Sequence, residues 1–182
     1  RNVLSIIIML FTLCLLCGSV SAMSGTGTSS DPYIISTQSD LALLSGSSYA
    51  SYVGNAKYFE LGADITMSGT FTPIGTNQYK FNGHFDGKNH RITGLKTSSN
   101  PSGLFMYVTS GAEMKNINFY NAQISGTSGD GTGVLYGQCY QATNLGTVTN
   151  VNVYDSKVTA AGNCVGGISG YGAYTSSTYS TH

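Results

Sequence analysis

From Lys57 onward, apolar residues fall at alternate positions in runs of four to six, and each run stops at Gly, Asn or Asp. KYFELGADITM places Tyr58, Phe59, Leu61 and Ile65 as its apolar points. TPIG, YKFNGHFDGKNHRITGL, GLFMYV and MKNINFYNAQISG continue in the same style. A period of two predicts half-buried strands, and the dense turn residues leave no room for a long helix. Upstream, DPYIIST reads as a Pro turn followed by a short strand. TQSDLALLSG changes the period: Thr37 can accept from the amide three residues on, Asp40 can answer it, Leu41 and Leu44 share a face, and Gly46 ends the segment. That is a capped short helix, expected to be the only one. SSYASYVGNA is expected to be a loop, and residues 23–32, with MSGTGTSS at their start, a flexible leader.

The strand text repeats. NINFYNAQISG, starting at Asn116, lies under NVNVYDSKVTA, starting at Asn150, with an offset of 34 residues. Ile117, Phe119 and Ile124 align with Val151, Val153 and Val158, Ala122 with Ser156, and Tyr120 with Tyr154. Glycine-led apolar starts stand upstream at Gly103, Gly133 and Gly166, spaced by 30 and 33. HRITGL, from His90, reads as a degenerate first copy of the repeated strand. A unit of this length with about three short strands suits one coil of a solenoid, in which stacked units bury a core that no unit buries alone. An antiparallel sandwich also has evenly spaced short strands, but the 34-residue self-match favours the solenoid.

The first 22 residues differ from the rest. Arg1 precedes a 15-residue apolar run from Val3 to Cys17, followed by GSVSA. Small residues at Val20-Ser21-Ala22 predict a signal peptide cleaved between Ala22 and Met23. The run is shorter than the ~18 residues that span a bilayer. Of four cysteines, Cys139 and Cys164 lie beyond that segment. Two can make one disulfide or serve as small buried apolar groups, and cannot build a zinc site. Charged residues are only 9% of the 182, eight basic against eight acidic, with 24 glycines and 13 tyrosines. That balance argues against a nucleic-acid partner, which needs a basic face. An apolar content of 41% excludes a disordered chain.

GLFMYV, GVLYG and GGISGYG resemble the GLUG-type repeat of bacterial and archaeal surface proteins. DPYIISTQSDLALL, KYFELGADITMSGTFTPIG and FNGHFDGKNHRITGL are similar, in that order, to the block that opens such arrays. The resemblance covers nearly all of the chain beyond residue 22 and implies a right-handed parallel β-helix, taken as one capped domain over residues 33–182, adhesin-like surface proteins with many repeats, and activity lodged in other domains. Phe81, Asn82, Gly83, Phe85, Asp86, Gly87, Asn89, His90 and Ile92 match the pattern. His84 departs from it, since a small polar residue is usual there.

His84, Asp86 and His90 are the residue types of a metal site or an acid–base pair, and His84 and Asp86 share one strand face. They also sit among the turn dipeptides Asn82-Gly83 and Asp86-Gly87, where Asp86 can bond its own backbone two residues on, and the architectural reading is preferred. A glycosidase needs two opposed carboxylates. Asp64, Asp86, Glu113, Asp130 and Asp155 are the candidates, and all read as turn or corner residues. No G-x-S-x-G occurs. Lys80, Lys88, Arg91 and Lys96, with His84 and His90, form a modest basic cluster suited to an anionic surface or to plain solvation. The tyrosines from Tyr136 to Tyr179 could stack on sugar rings; Tyr120 and Tyr154, sharing one repeat position, are expected to stack on each other.

The expectation is therefore an all-β chain: a right-handed parallel β-helix with about three short strands per coil of 30–34 residues, opened by a helix-containing cap. It is expected to be secreted or at the cell surface as an adhesin-like structural or binding module. Surface glycans are the expected partners, with no catalytic, cofactor or metal residues and no membrane span in the mature part. Further repeats are expected C-terminally, because an uncapped coil is an aggregation hazard. The competing class is a carbohydrate-active β-helix enzyme, which predicts a carboxylate cluster in one groove.

Overall fold

The computed structural model describes residues 23–54, 56–128, 131–140 and 147–171, the side chain of Tyr140 excepted. The signal segment 1–22 with Ala22, and Asp130, Tyr174 and Tyr179, lie outside the described residues. Among the described residues thirteen strands follow one another: β1 (Tyr33–Ile35), β2 (Tyr58–Leu61), β3 (Ile65–Thr66), β4 (His84–Asp86), β5 (Arg91–Thr93), β6 (Lys96–Ser99), β7 (Phe105–Thr109), β8 (Glu113–Tyr120), β9 (Gln123–Gly126), β10 (Tyr136–Tyr140), β11 (Val148–Tyr154), β12 (Lys157–Ala160) and β13 (Ser169–Tyr171). They form three parallel sheets: a seven-stranded one (β1, β2, β4, β8 and β11, with β3 and β5), a second of β7, β10 and β13, and a third of β6, β9 and β12. From β4 on, the chain visits the first, third and second sheets in turn, three times over. This is a β-solenoid-like arrangement.

The pairing register is the repeat seen in the sequence. Ile117 pairs with Val151, Phe119 with Val153, Tyr120 with Tyr154 and Ile124 with Val158. The degenerate copy also holds, with Ile92 beside Phe119. In the second sheet Phe105 pairs with Tyr136 and Tyr136 with Ser169, offsets of 31 and 33. The bridge from Ser102 to Thr132 keeps the offset of 30, so the middle coil absorbs one extra residue between Thr132 and Tyr136.

Side chains facing inward stack rung on rung. Phe59, Phe85 and Met114 make one column and Ile65, Ile92 and Phe119 another, all nearly or wholly buried. Phe81 and Phe105 add aromatic contact, their centroids 4.4 Å apart. Each such side chain contributes about 1.5–3 kcal/mol of burial. In β8 the buried residues are Met114, Ile117 and Phe119, so the alternation slips by one at Asn116, whose φ is +57°. Asn150 repeats that bend in β11 with φ +52°. Gly94, Asn121 and Asp155, in register at the next corner, are also left-handed, at +74°, +53° and +48°. Asn and Asp tolerate this region where other side chains do not, which is why they punctuate each coil.

The N-terminal end is covered. Helix α1 (Gln38–Ala42) has the anticipated box: the Asp40 N–H donates to Thr37 Oγ1 at 3.2 Å, and the Thr37 N–H donates to Asp40 Oδ2 at 2.9 Å. Leu41 and Leu44 are fully buried beneath it. Ser47–Ser51, expected as a loop, is a 3₁₀ helix, because Tyr49 is fully buried and its hydroxyl donates to Asn82 Oδ1 at 3.2 Å. Burial pushes the Tyr49 phenol far above its ordinary value. The expected single strand of KYFELGADITM is split into β2 and β3 around Gly62–Asp64. Residues 23–32, expected as a leader, fold back on the chain: Ser24 bridges antiparallel to Ile34, and the Tyr58 N–H donates to the Gly27 carbonyl at 3.1 Å. That fold shields the outer edge of β1, a protection exposed strand edges need.

Candidate functional site

β4 shows how local sequence sets a site. Its pattern places Phe85 inward and His84 and Asp86 outward, as the alternation HFD requires. Parallel pairing then aligns two outward columns across three coils. One runs Tyr58, His84, Glu113; the other runs Glu60, Asp86, Lys115. Between them lies a cleft of about 170 Å³, lined also by Ser29, Phe59 and Phe85.

The first column is tightly organised. The Tyr58 and His84 rings stack with centroids 4.1 Å apart and planes 10° from parallel. His84 Nδ1 lies 2.8 Å from Glu113 Oε2. In the second column Lys115 Nζ is 3.6 Å from Asp86 Oδ2, and Lys88 Nζ is 3.6 Å from Glu60 Oε1. Asp86 Oδ1 accepts from the Lys88 N–H at 2.8 Å and from Asn116 Nδ2 at 2.9 Å. Partial burial alone would raise the Asp86 carboxyl. The Asn116 and Lys88 hydrogen bonds, with the charges of Lys115 and Lys88, outweigh it and hold the group below its ordinary value. Asp86 is therefore both the turn residue expected and a charged wall of the cleft.

Sequence reasoning foresaw His84 and Asp86 on one face but put Glu113 at a corner. Glu113 instead opens β8 and meets His84. Glu60 and Lys115 were not singled out, and Tyr58, expected as an apolar point of its strand, stands on the outward face opposite buried Phe59 and Leu61. His90 points to a different partner: its Nδ1 is 3.0 Å from Asp64 Oδ1, which also accepts from the Arg91 N–H at 3.0 Å. Those two bonds, the backbone one first, hold Asp64 below its ordinary value. His84, Asp86 and His90 thus do not converge, and among the described residues no three His, Cys, Asp or Glu side chains are grouped to hold a metal ion. The basic cluster also disperses. Lys88 pairs with Glu60, Arg91 lies over the Tyr120 ring at 5.2 Å, Lys96 stands on the third sheet, and Lys80 bonds the Asn77 carbonyl.

Tyr120 and Tyr154 stack on each other as expected, centroids 4.7 Å apart. Tyr136 is buried, whereas Tyr171 is exposed. Amide ladders run beside the tyrosines: Asn150 donates to Asn116 and Asn89, and Asn152 to Asn118. Asp155 is a left-handed corner. Cys139 and Cys164 are both free thiols, the first buried in β10 and the second exposed. Burial pushes the Cys139 thiol up to about 11. No helix among the described residues is long and apolar enough to cross a membrane.

No protein-family model matches the chain. A protein of Evansella cellulosilytica named "Putative Gly-rich membrane protein" is 30% identical over 139 residues, 71% of this chain and 15% of that protein. Halomucin of Haloquadratum walsbyi is 31% identical over 147 residues, 71% of this chain and 2% of halomucin. The chain therefore spans a small fraction of the curated relatives it matches. Among solved structures, that of a "putative immunoglobulin A1 protease" from Bacteroides ovatus superposes with a TM-score of 0.53 at 26% identity, over 71% of this chain and 39% of the other.

Proposed function

We propose that this chain is a structural and binding module of a secreted or cell-surface, adhesin-like protein, exported by a signal peptide cleaved between Ala22 and Met23. In this reading the stacked sheets are a right-handed parallel β-helix of GLUG-type repeats, the hand that β-crossovers between parallel strands almost always take. The coil stacking in register, Phe119 on Ile92 and Val153 on Phe119, is the observation that carries it. Such a solenoid is a rigid spacer that can be lengthened coil by coil. The names of the two curated relatives, a Gly-rich membrane protein and a halomucin, fit a surface setting. Further repeats of the same polypeptide would pair with β11, β12 and β13, and surface glycans are the proposed partners.

The module is proposed to bind without turnover. Glu60, Asp86 and Glu113 do border one cleft, the feature a carbohydrate-active enzyme would need. Each, however, is engaged by a cation or by His84, and an acid–base pair needs one carboxyl held neutral. The test is a glycan array probed with the full chain, with reducing-end release measured on every glycan retained. Retention without release supports the reading. Release abolished by Asp86→Asn would make the chain a hydrolase instead.

A further inference from the structure

The outward columns of the first sheet differ in character from place to place. Between β8 and β11, from Asn116 to Tyr120, like sits on like: Tyr120 against Tyr154, Asn116 against Asn150, Asn118 against Asn152. Such ladders fill their own space and hold coil to coil. Across β2, β4 and β8 the chemistry changes at every rung, Tyr to His to Glu and Glu to Asp to Lys. There the two columns part around the 170 Å³ cleft.

The groups around that cleft define what fits it. Three carboxylates, Glu60, Asp86 and Glu113, line it with one ammonium group, Lys115, and Lys88 pairs with Glu60 from outside the lining, so two of the three negative charges are matched. A point ion gains little from so balanced a field. A hydroxyl group, donor and acceptor at once, can give to a carboxylate and take from an ammonium. The stacked Tyr58 and His84 rings supply a rigid apolar wall beside these polar groups. The volume is below the ~300–1,000 Å³ of pockets for drug-sized ligands, which suits a single ring. We infer that this cleft is a monosaccharide subsite, taking one uncharged pyranose of a glycan. The ring packs against the Tyr58–His84 column, and its adjacent hydroxyls bridge the Glu60–Asp86 carboxylates and Lys115.

This inference rests on the proposed glycan contact and deepens it to a site and a sugar class. The test is titration of the full chain with neutral, amino-substituted and carboxylated oligosaccharides. It compares the parent protein with Glu60→Ala and Lys115→Ala, both outward-facing side chains, with thermal melts checking that each variant is folded. Neutral sugars are expected to bind, and each variant to weaken binding roughly tenfold, the scale of one lost charge-assisted hydrogen bond. Neutral-sugar binding unchanged in both folded variants would overturn the subsite and leave the glycan reading standing. Binding confined to amino or carboxylated sugars would overturn the uncharged-ring assignment. No binding to any class would overturn the subsite and the glycan reading together.

Discussion

Asn116 offers a sharp test of why asparagine marks each coil. Its backbone is left-handed at φ +57°, and its side chain donates to Asp86 Oδ1 at 2.9 Å and accepts from Asn150 at 3.0 Å. Asn116→Gly keeps the backbone free of strain and loses both bonds, costing about 2 kcal/mol with the carboxylate bond the larger share. Asn116→Ala loses the same bonds and adds the left-handed penalty of about 1–2 kcal/mol. The greater unfolded-state freedom of glycine offsets about 0.4–1 kcal/mol of that difference. Alanine should therefore be the less stable variant by about 0.5–1 kcal/mol, the reverse of its usual rank in a strand. Urea unfolding followed by far-UV circular dichroism reads the difference as a lower midpoint at unchanged slope. Asn118 is the control. It accepts from Asn152 at 3.0 Å and donates to the Asn89 carbonyl at 2.9 Å, and it is not among the left-handed residues. There alanine should outrank glycine by about 0.5–1 kcal/mol. If Asn116→Ala equals or exceeds Asn116→Gly, the backbone explanation of the asparagine positions is wrong.

Phe85→Ala should cost about 3–5 kcal/mol in the same urea assay, because the ring is 1% exposed and packs edge-on to Phe105 at 5.5 Å; a loss under about 1 kcal/mol would mean the column collapses without a cavity. Asp64 and Asp86 both have lowered carboxyl values in the fold. Their contribution is present in full above the unfolded value of about 3.9 and is lost as pH falls through the lower folded values. The urea midpoint should thus drop below about pH 4, and Asp86→Asn should flatten that limb. A maleimide at pH 8, read by peptide mass, should modify Cys164 in the folded protein and Cys139 only in denaturant, given the exposure of one and the burial of the other; equal labelling in the fold would contradict the placement of β10.

Much of the fold was legible because in a solenoid the sequence offset and the pairing register are one quantity. Once NINFY is set under NVNVY, every contact of β8 with β11 follows, down to the Tyr120–Tyr154 stack. The capping box was legible because it is local, closed within the four residues Thr37 to Asp40. The 3₁₀ turn was not, because Tyr49 is placed by a hydrogen bond and packing more than thirty residues away, at Asn82 and Phe81. Nor was the fold of residues 23–32, whose partners Ile34 and Tyr58 lie on strand edges that exist only after β1 and β2 have paired.

The cleft stayed hidden for a related reason. Ile92 and Phe119 pair across 27 residues, but His84 and Glu113 pair across 29. The two extra residues sit in Gly87–His90, where Lys88 and Asn89 are both left-handed, at +50° and +64°. A constant offset carried back through that bulge sets His84 opposite Gly111, so Glu113 never meets the imidazole on paper. The turn dipeptides read from FNGHFDGKNH are thus the device that shifts the register. The same bulge brings Lys88 to Glu60 and its own N–H to Asp86. Architecture and candidate site meet here: the turn residues that bend the coil also set the register that brings His84 to Glu113 beside the cleft.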